Sequence, residues 1–176
     1  GNAGMAHLAG RTIGLDGVVA QQENYQRSGF KLAYRNIRYQ GRNGAKGALD
    51  ARLVPLSSIP LEKVLAYDRA CFPESRAGFL RCWIAQPGSR ALGIMGTGGL
   101  NGYGVIRPAR DGFKIGPLFA DTPALARSLF DGLRAYVPDD ASIVLDTPEP
   151  NAAAVAVAER HGMNPVFETA RMYTGR

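Results

Sequence analysis

One stretch of the sequence decides the fold: Lys114-Ile115-Gly116-Pro117-Leu118-Phe119-Ala120-Asp121-Thr122-Pro123. Its apolar part predicts a strand, and Thr122-Pro123 predicts a helix start, because threonine is a good N-cap and proline fits the first helical position. Since Pro117 has no N–H for a sheet ladder, we expect the strand to part from a neighbour there. Two interpretations stay open: a plain strand–helix connection with a bulge, or a gap that holds an extended ligand with its pyrophosphate at the helix N-terminus.

Strands and helices are predicted on both sides of this stretch. Before it, we expect a strand over 52–56, a helix from Pro60 to a stop at Pro73, a short helix over 74–82, and hairpin strands over 91–95 and 102–107 around a glycine-rich turn at 98–102. After it come an amphipathic helix, a strand over 143–145, a helix over 151–161 and a final strand. The apolar face of the amphipathic helix comprises Ala126, Leu129, Phe130, Leu133, Tyr136 and Val137. This order predicts an α/β or α+β fold with a mixed sheet.

Two parts of the chain resemble each other, the segments 12–39 and 142–173. Each consists of a strand, a Leu-Asp pair, a helix, a glycine followed by a large apolar residue, and a second strand. Aligned at Gly29 and Gly162, the matched pairs are Phe30 with Met163, Tyr34 with Phe167, and Arg38 with Arg171. Asp16 and Asp146 recur in both copies, which favours a shared structural role over catalysis. An internal duplication is therefore predicted.

A polar, glycine-rich segment divides the chain. Residues 42–51 are predicted to be a linker, and residues 52–176 a complete domain. About forty residues are too few to bury a core alone. Because the chain also opens on Gly1, we expect residues 1–41 to be the C-terminal portion of a preceding domain whose upstream part is missing.

Composition excludes several classes of protein. A hydrophobic fraction of 45% is typical of globular chains and excludes a disordered or collagen-like one. The chain contains no run of about eighteen apolar residues, so no membrane span is predicted. The net charge of +6 favours anionic partners, but the charges are scattered, so nucleic-acid binding is not favoured. Cys71 and Cys82 have no metal-site spacing, which predicts no metal site, no disulfide and a reducing, cytoplasmic compartment. Both are expected to be buried.

The stretch quoted first, taken with Gly102-Tyr103-Gly104-Val105-Ile106-Arg107-Pro108, resembles the C-terminal domain of tandem proteins of the GNAT N-acetyltransferase superfamily, of the YitH-like kind. The resemblance covers nearly all of residues 52–176, and residues 5–39 resemble the last quarter of a preceding GNAT domain. Both glycine-containing helix ends fit part of the superfamily signature Asn-x-x-Ala…Tyr-x-x-x-Gly-Phe. The resemblance implies a mixed, mostly antiparallel central sheet with splayed central strands, flanked by helices.

The resemblance also implies the chemistry. Acetyl-CoA would lie between the splayed strands, with its pantetheine along the strand over 113–119 and its pyrophosphate on the helix that starts near Thr122. An amine would attack the thioester directly, with backbone N–H groups near the strand break stabilising the oxyanion. A tyrosine on the following helix would protonate the leaving thiolate. The residues implied to bind the co-substrate are Ile115, Gly116, Pro117, Leu118, Thr122 and Asn151; the implied catalytic residue is Tyr25, and no metal is implied.

The sequence departs from the superfamily pattern at three places. The pyrophosphate loop Arg/Gln-x-x-Gly-x-Gly/Ala corresponds to residues 118–124, which contain no glycine and carry Asp121, whose charge would repel phosphates. In the second copy, Ala158 stands where the acid tyrosine is expected. In the first copy Tyr25 fits that place, while Val18 replaces the asparagine. We therefore expect catalysis in the first domain and a degenerate second one.

The sequence thus predicts a bacterial, cytoplasmic acyltransferase that moves an acetyl group from acetyl-CoA to an amine of a small molecule or protein. The alternative is a catalytically degenerate GNAT-fold module that binds CoA, a ligand or a partner without turnover. The expected partners are a CoA thioester and an amine; a homodimer is compatible with the sequence, and no membrane is expected. For Asn151 we expect a helix cap, with CoA contact as the other role. His161 and Tyr103 are expected in structural roles.

Overall fold

The computed structural model describes residues 14–71 and 76–174. The strands are β1 (Gly14–Val18), β2 (Phe30–Arg42), β3 (Leu53–Pro55), β4 (Arg90–Gly96), β5 (Gly99–Ala109), β6 (Gly112–Ala120), β7 (Ser142–Pro148) and β8 (Asn164–Thr174). The α-helices are α1 (Gln22–Arg27), α2 (Leu61–Cys71), α3 (Ala77–Ala85), α4 (Pro123–Arg134) and α5 (Ala152–Arg160). The predicted helix stop at Pro73 and the first residues of the predicted repeat lie outside the described residues.

The strands form one sheet in the order β1-β8-β2-β7-β6-β5-β4-β3. Each neighbouring pair is antiparallel except β6 and β7, which are parallel. The fold is therefore the mixed, mostly antiparallel sheet flanked by helices that the sequence predicts.

Helices cover both faces of the sheet. On one face, α4 and α5 pack on β4 to β7 and enclose the largest core, which includes Ile94, Ile106, Ile115, Leu129, Leu133 and Leu145. On the other face, α2 and α3 cover a smaller core of Leu56, Val64, Leu80, Tyr103 and Phe119. Burial of these side chains stabilises each layer by about 1.5–3 kcal/mol for each large apolar residue.

Helix α4 begins as the sequence predicts and ends earlier. The Thr122 side chain accepts a hydrogen bond from the Leu125 N–H at 3.3 Å, and Pro123 is the first helical residue. The predicted apolar face is buried at its first four positions, but Tyr136 lies beyond the helix end and is 50% exposed. Its ring instead contacts the Arg90 guanidinium, 4.7 Å from the ring centroid.

The three glycines of the predicted hairpin turn have different roles. The chain turns at residues 97–98, and Gly99 begins β5 with a φ of +116° that other residues rarely adopt. Gly102 lies inside β5, where a Cβ would come within 2.7 Å of the Phe119 carbonyl oxygen on β6. The predicted turn over 98–102 is therefore too long, because Gly99 and Gly102 belong to β5 and Gly102 is needed where β6 approaches closely.

Strand β2 lies between β7 and β8, so residues 14–42 belong to the same sheet as the rest of the described chain. The two matched segments make equivalent contacts there. Arg38 faces Phe167 in the ladder and Tyr34 faces Arg171, as expected for two related strands that run antiparallel. The Arg38 side chain reaches Asp146, and the Arg171 side chain reaches Asp16. Both predicted strand-end aspartates thus pair with an arginine of the other copy.

The predicted linker has no regular structure, but it is attached to α4. Asn43 is buried, and its Nδ2 lies 3.2, 3.1 and 2.9 Å from the carbonyl oxygens of Arg134, Val137 and Pro138. Arg134 in turn donates to the carbonyl oxygens of Gly44 and Ala45. These bonds satisfy groups left open where a helix ends. The assignment of separate domains to residues 1–41 and 52–176 stays a prediction.

The two cysteines are exposed, so the prediction that both are buried is wrong. Helix α3 turns Leu80 into the core. Cys82 follows two positions later, about 200° around the helix, and so faces away. Cys71 is the last residue of α2, whose buried side chains are Val64 and Asp68.

Candidate functional site

The central strands β6 and β7 part at Gly116. They pair only where Phe113–Ile115 runs beside Ile143–Leu145, although β6 continues to Ala120 and β7 to Pro148. The Gly116–Pro117 peptide bond is cis. The sequence-based prediction of a strand break at this dipeptide, with splayed neighbours, is therefore confirmed, and the bulge without a gap is excluded.

Backbone groups of β6 face the gap. The Asp121 N–H donates to the Asn101 carbonyl at 3.0 Å, toward β5. Because backbone direction alternates along a strand, the N–H and C=O of Ala120 and Leu118 point to the other side, into the gap. The Asn151 Nδ2 crosses the gap and donates to the Leu118 carbonyl at 2.8 Å. The Asn151 side chain therefore bridges the gap at the Leu118 carbonyl, and the Leu118 N–H also faces the gap.

A cavity of about 270 Å³ lies at the gap, beside α3. Six strands and α3 contribute to its wall, which includes Gly116, Pro117 and Leu118 of β6 together with Arg38, Trp83, Arg107, Lys114, Asp146, Asn151 and Phe167. A second cavity of about 280 Å³ shares Phe119, Pro148 and Asn151 with the first and extends to Ala120. Together the two cavities form a path along β6 that extends from Ala120, two residues before the Thr122 cap of α4, to Lys114 at the base of the gap.

Asp146 organises the charge at the base of the gap. Its carboxylate accepts two hydrogen bonds from the Arg38 guanidinium, at 2.7 and 2.8 Å, and pairs with the Lys114 Nζ at 2.5 Å. Burial acts to raise the pKa of Asp146, but the hydrogen bonds from Arg38 and Lys114 outweigh it, so the pKa lies below its ordinary value. A carboxylate of lowered pKa is a weak general base at neutral pH.

A second pair of cations lies near the Trp83 ring. Arg76 lies 5.8 Å and Arg107 5.9 Å from the centroid of the indole ring. The Arg76 guanidinium is held by Asp68, which is 1% exposed, through bonds of 2.5 and 3.2 Å. The Tyr103 hydroxyl donates to the same carboxylate, and burial followed by this bond raises the pKa of Tyr103. This places Tyr103 in the core, as predicted, where it orients Asp68.

At the start of α4, the carboxylate of Asp121 is turned away from the helix. It accepts hydrogen bonds from the Tyr67 hydroxyl at 2.7 Å and from the Asn101 Nδ2 at 2.8 Å. Burial, followed by the bond to Asp121, raises the pKa of Tyr67. The prediction that this charge points at a bound phosphate therefore needs correction: two neutral donors hold it toward α2 and β5.

The structure brings most of the predicted site residues together. Gly116, Pro117, Leu118 and Asn151 line the cavity, while Thr122 caps α4 and lines neither cavity. Ile115 is fully buried in the core under α4 and α5. Asn151 caps α5, as predicted, through a bond from the Ala154 N–H at 3.2 Å.

Tyr25 lies apart from the gap. Its ring packs on Phe30, with centroids 6.3 Å apart, in a small cluster with Ala170 and Met172, and it lines neither cavity. Ala158 is fully buried on α5. The His161 Nδ1–H donates to the Val157 carbonyl oxygen at 2.9 Å, and the imidazole ring lies 4.5 Å from the Phe130 ring centroid, which fits a structural role. The role of Tyr25 as a catalytic acid stays a prediction.

The charged wall of the cavity, which comprises Arg38, Arg107, Lys114 and Asp146, is not predicted from the sequence. Its members come from β2, β5, β6 and β7, strands whose order in the sheet has no local signal. One signal was available for two of them: Asp146 and Arg38 each recur in the repeat, which favours a pair of interacting positions. Nothing in the sequence distinguishes Arg107 from the other arginines.

Two further features concern metals and membranes. Within residues 14–71 and 76–174, no group of three histidine, cysteine or acidic side chains lies close enough together to hold a metal ion. Over the same residues, each helix is too short or too polar to cross a bilayer.

Comparison with known proteins shows the family and the fold. The family model described as "Acetyltransferase (GNAT) domain" matches residues 64–176. The holothin acyltransferase of Pseudoalteromonas sp. (strain SANK 73390) is 28% identical over 170 residues, which are 97% of this chain and 58% of that protein. This chain therefore spans little more than half the length of that relative.

Solved structures have the same fold at lower sequence identity. A putative acetyltransferase from Pyrococcus horikoshii superposes with a TM-score of 0.76 at 24% identity, over 94% of this chain and 53% of that one. A putative acetyltransferase of the GNAT family from Novosphingobium aromaticivorans superposes with a TM-score of 0.60 at 17% identity, over 98% of this chain and 79% of that one. Strands β6 and β7 part at Gly116, and the family model matches more than half of this chain. The chain therefore belongs to the GNAT acetyltransferase family.

Proposed function

We propose that this chain transfers an acyl group, acetyl in the simplest case, from acyl-CoA to an amine at the gap between β6 and β7. The observation that carries the proposal is the gap itself, which opens at Gly116 and has a cavity at its base. Acyl-CoA would follow the path between the cavities, with its pyrophosphate near the capped start of α4. GNAT domains use an acyl-CoA co-substrate, and the gap-facing backbone of β6 suits its extended pantetheine.

The chemistry follows from the groups at the gap. A neutral amine attacks the thioester carbon, so that a C–N bond forms and the C–S bond breaks. The Leu118 N–H faces the gap and would stabilise the oxyanion. Asp146 already binds two cations and has a lowered pKa, so the amine loses its proton to water before attack. The thiolate, with an ordinary pKa of about 8.5, then takes the proton released from the new ammonium.

The test combines binding and turnover on the purified chain. Isothermal titration measures acetyl-CoA binding, and thiol release measures transfer across a panel of amines and acyl-CoA chain lengths. The relative is called an acyltransferase, which supports testing donors beyond acetyl-CoA. Gly116→Val adds bulk where the strands part and should lower kcat/KM about tenfold or more. Gly98→Val is the matched control, because a Cβ there meets nothing within 4 Å.

A second candidate function is binding without turnover. It is favoured by Ala158, which stands where the family resemblance places a catalytic tyrosine, and by the absence of glycine over residues 118–124. Binding of acetyl-CoA without thiol release for any amine would support this candidate. Failure of acetyl-CoA to bind would contradict both.

We also propose that β1, α1 and β2 are the end of a preceding GNAT domain. The equivalent ion pairs of the repeat and the length of the relatives support this arrangement. Tyr25 would then serve that preceding domain. Tyr25→Phe should leave acyl transfer by this chain unchanged; a loss comparable to that of Gly116→Val would contradict this assignment.

A further inference from the structure

We propose that the acceptor amine carries a carboxylate and that Arg107 binds it. The inference rests on the proposed function, because it names the class of acceptor for the same cavity. Its basis is an excess of positive charge at Arg107, on one wall of the cavity, together with the planar shape of the guanidinium group that carries this charge.

The charges on this wall do not balance. Arg38, Lys114 and Arg107 all line the cavity, and Asp146 is shared by the first two. The other carboxylate at the cavity, Asp16, pairs with Arg171. Among the described residues, no acidic side chain lies within ion-pair distance of Arg107, whose guanidinium lies 5.9 Å from the centroid of the Trp83 ring. The wall therefore carries uncompensated positive charge at Arg107.

The position of Arg107 costs stability in the absence of an anion. Arg107 and Lys114 are directly opposite in the β5–β6 ladder, so both side chains project from the same face. Like charges in this arrangement are destabilising. A bound anion would remove this repulsion, and Arg107 is the group it would meet first, since Lys114 and Arg38 are already engaged by Asp146.

The shape of the group favours a carboxylate. A guanidinium presents a planar fork of donors that matches the two oxygens of a carboxylate, and the Arg107 guanidinium lies beside the Trp83 ring, 5.9 Å from its centroid. Arg76 lies 5.8 Å from the same centroid, but its fork is bound to Asp68. Arg107 is half-buried, so an anion bound there is partly shielded from water.

The phosphates of a CoA thioester would bind elsewhere. Lys114, opposite Arg107, and Ala120, beside the start of α4, are separated by six residues of β6, which corresponds to about 20 Å of extended strand. Arg107 is thus at the base of the path, where the acceptor is expected, and the start of α4 is at its mouth.

The experiment compares amines that differ only in the anionic group. Phenylalanine is tested against phenylalaninamide, and glycine against glycinamide, with thiol release from acetyl-CoA as the readout and each rate corrected for the fraction of neutral amine. The carboxylates should have a kcat/KM about tenfold or more above that of the amides, mainly through a lower KM. An equal or lower value for the carboxylates would overturn the proposal.

Three variants separate charge from geometry. Arg107→Gln should raise KM for the carboxylates about tenfold and leave the amides unchanged, while Arg107→Lys should be intermediate because it keeps the charge and loses the fork. Arg110→Gln is the control, since it removes one positive charge at an exposed turn outside the cavity. A loss in Arg107→Gln that is equal for both kinds of amine would show a structural role and overturn the proposal.

Two further outcomes separate this inference from the proposed function. Transfer to amides but not to carboxylates would leave the function standing and overturn the inference. If no amine is acylated, binding of N-acetylphenylalanine by titration still decides: saturable binding that Arg107→Gln abolishes supports the carboxylate site, and its absence overturns it. A preference for O-phosphoethanolamine over β-alanine would assign the site to phosphate and overturn the carboxylate.

Discussion

The sharpest prediction concerns Asp146, the carboxylate at the base of the gap. Asp146→Asn keeps the size of the side chain and removes its charge. Arg38 and Lys114 then face each other without a counter-charge, and at least one hydrogen bond from Arg38 is lost. We expect a clear loss of stability, because this one side chain on β7 holds two cations, one on β2 and one on β6.

The size of the loss follows from the partial burial of the group. Exposed ion pairs contribute about 0–1 kcal/mol, and breaking a buried pair costs about 3–5 kcal/mol. The Asp146 side chain is 30% exposed, and those of Arg38 and Lys114 are 39% and 23% exposed. An intermediate cost of about 2 kcal/mol is therefore expected, which corresponds to a fall in Tm of about 4–8 °C for a domain of this size.

The repeat provides a matched control. Asp16 faces Arg171 as Asp146 faces Arg38, but Asp16 is 43% exposed, and its 3.1 Å contact with the Arg171 Nε is not an aligned hydrogen bond. Asp16→Asn should therefore cost about 1 kcal/mol or less. Urea unfolding at pH 7, followed by circular dichroism, measures both differences.

The pH dependence gives a second readout. Because the pKa of Asp146 is lowered in the folded protein, its contribution is present above the ordinary carboxyl value of about 3.9 and is lost as pH falls through the lower folded value. The difference between wild type and Asp146→Asn should stay constant from about pH 8 to 5 and shrink below about pH 4. Equal losses for Asp146→Asn and Asp16→Asn, or a difference that persists at low pH, would refute the reasoning.

Three further predictions concern the linker, the core and the start of α4. Asn43→Ala leaves three carbonyl oxygens at the end of α4 without their donor, so thermal unfolding should show a loss of about 2 kcal/mol, and an unchanged Tm would contradict the anchoring. Leu129→Ala opens a cavity in the main core, so urea unfolding should show a loss of about 2–5 kcal/mol in the free energy of unfolding. A loss under about 1 kcal/mol would contradict this expectation and would mean that the surrounding core side chains close the cavity. Asp121→Asn removes a negative charge beside the proposed pyrophosphate site and should tighten acetyl-CoA binding about two- to fivefold by titration, whereas weaker binding would place the phosphates elsewhere.

Local chemistry predicted the elements that shape the gap. Pro117 lacks a ladder donor and Thr122 caps a helix, so the strand break and the start of α4 could be read from neighbouring residues. The predicted apolar face of α4 is confirmed as far as Leu133, whereas Tyr136 lies beyond the end of the helix. Gly102 was assigned to a turn because the reason for a glycine there, the close approach of β6, lies outside its own segment.

The charged wall could not be predicted in the same way. Arg38, Arg107, Lys114 and Asp146 lie on four strands, and each is an ordinary polar position within its own strand. Likewise, Asp121 was expected to face a phosphate because its partners, Tyr67 and Asn101, are distant in sequence.

By itself, the sequence determined the order of strands and helices and the place where one strand must part from its neighbour, and it predicts that two segments are copies of one unit. These properties depend on residues a few positions apart, whose propensities and hydrogen-bonding capacity are fixed locally. Only the tertiary structure decided that β2 inserts between β7 and β8 and brings Arg38 to Asp146. The order of strands in a sheet depends on the burial of whole faces and on pairings between distant segments, so the charges that meet at the base of the gap are a product of the fold.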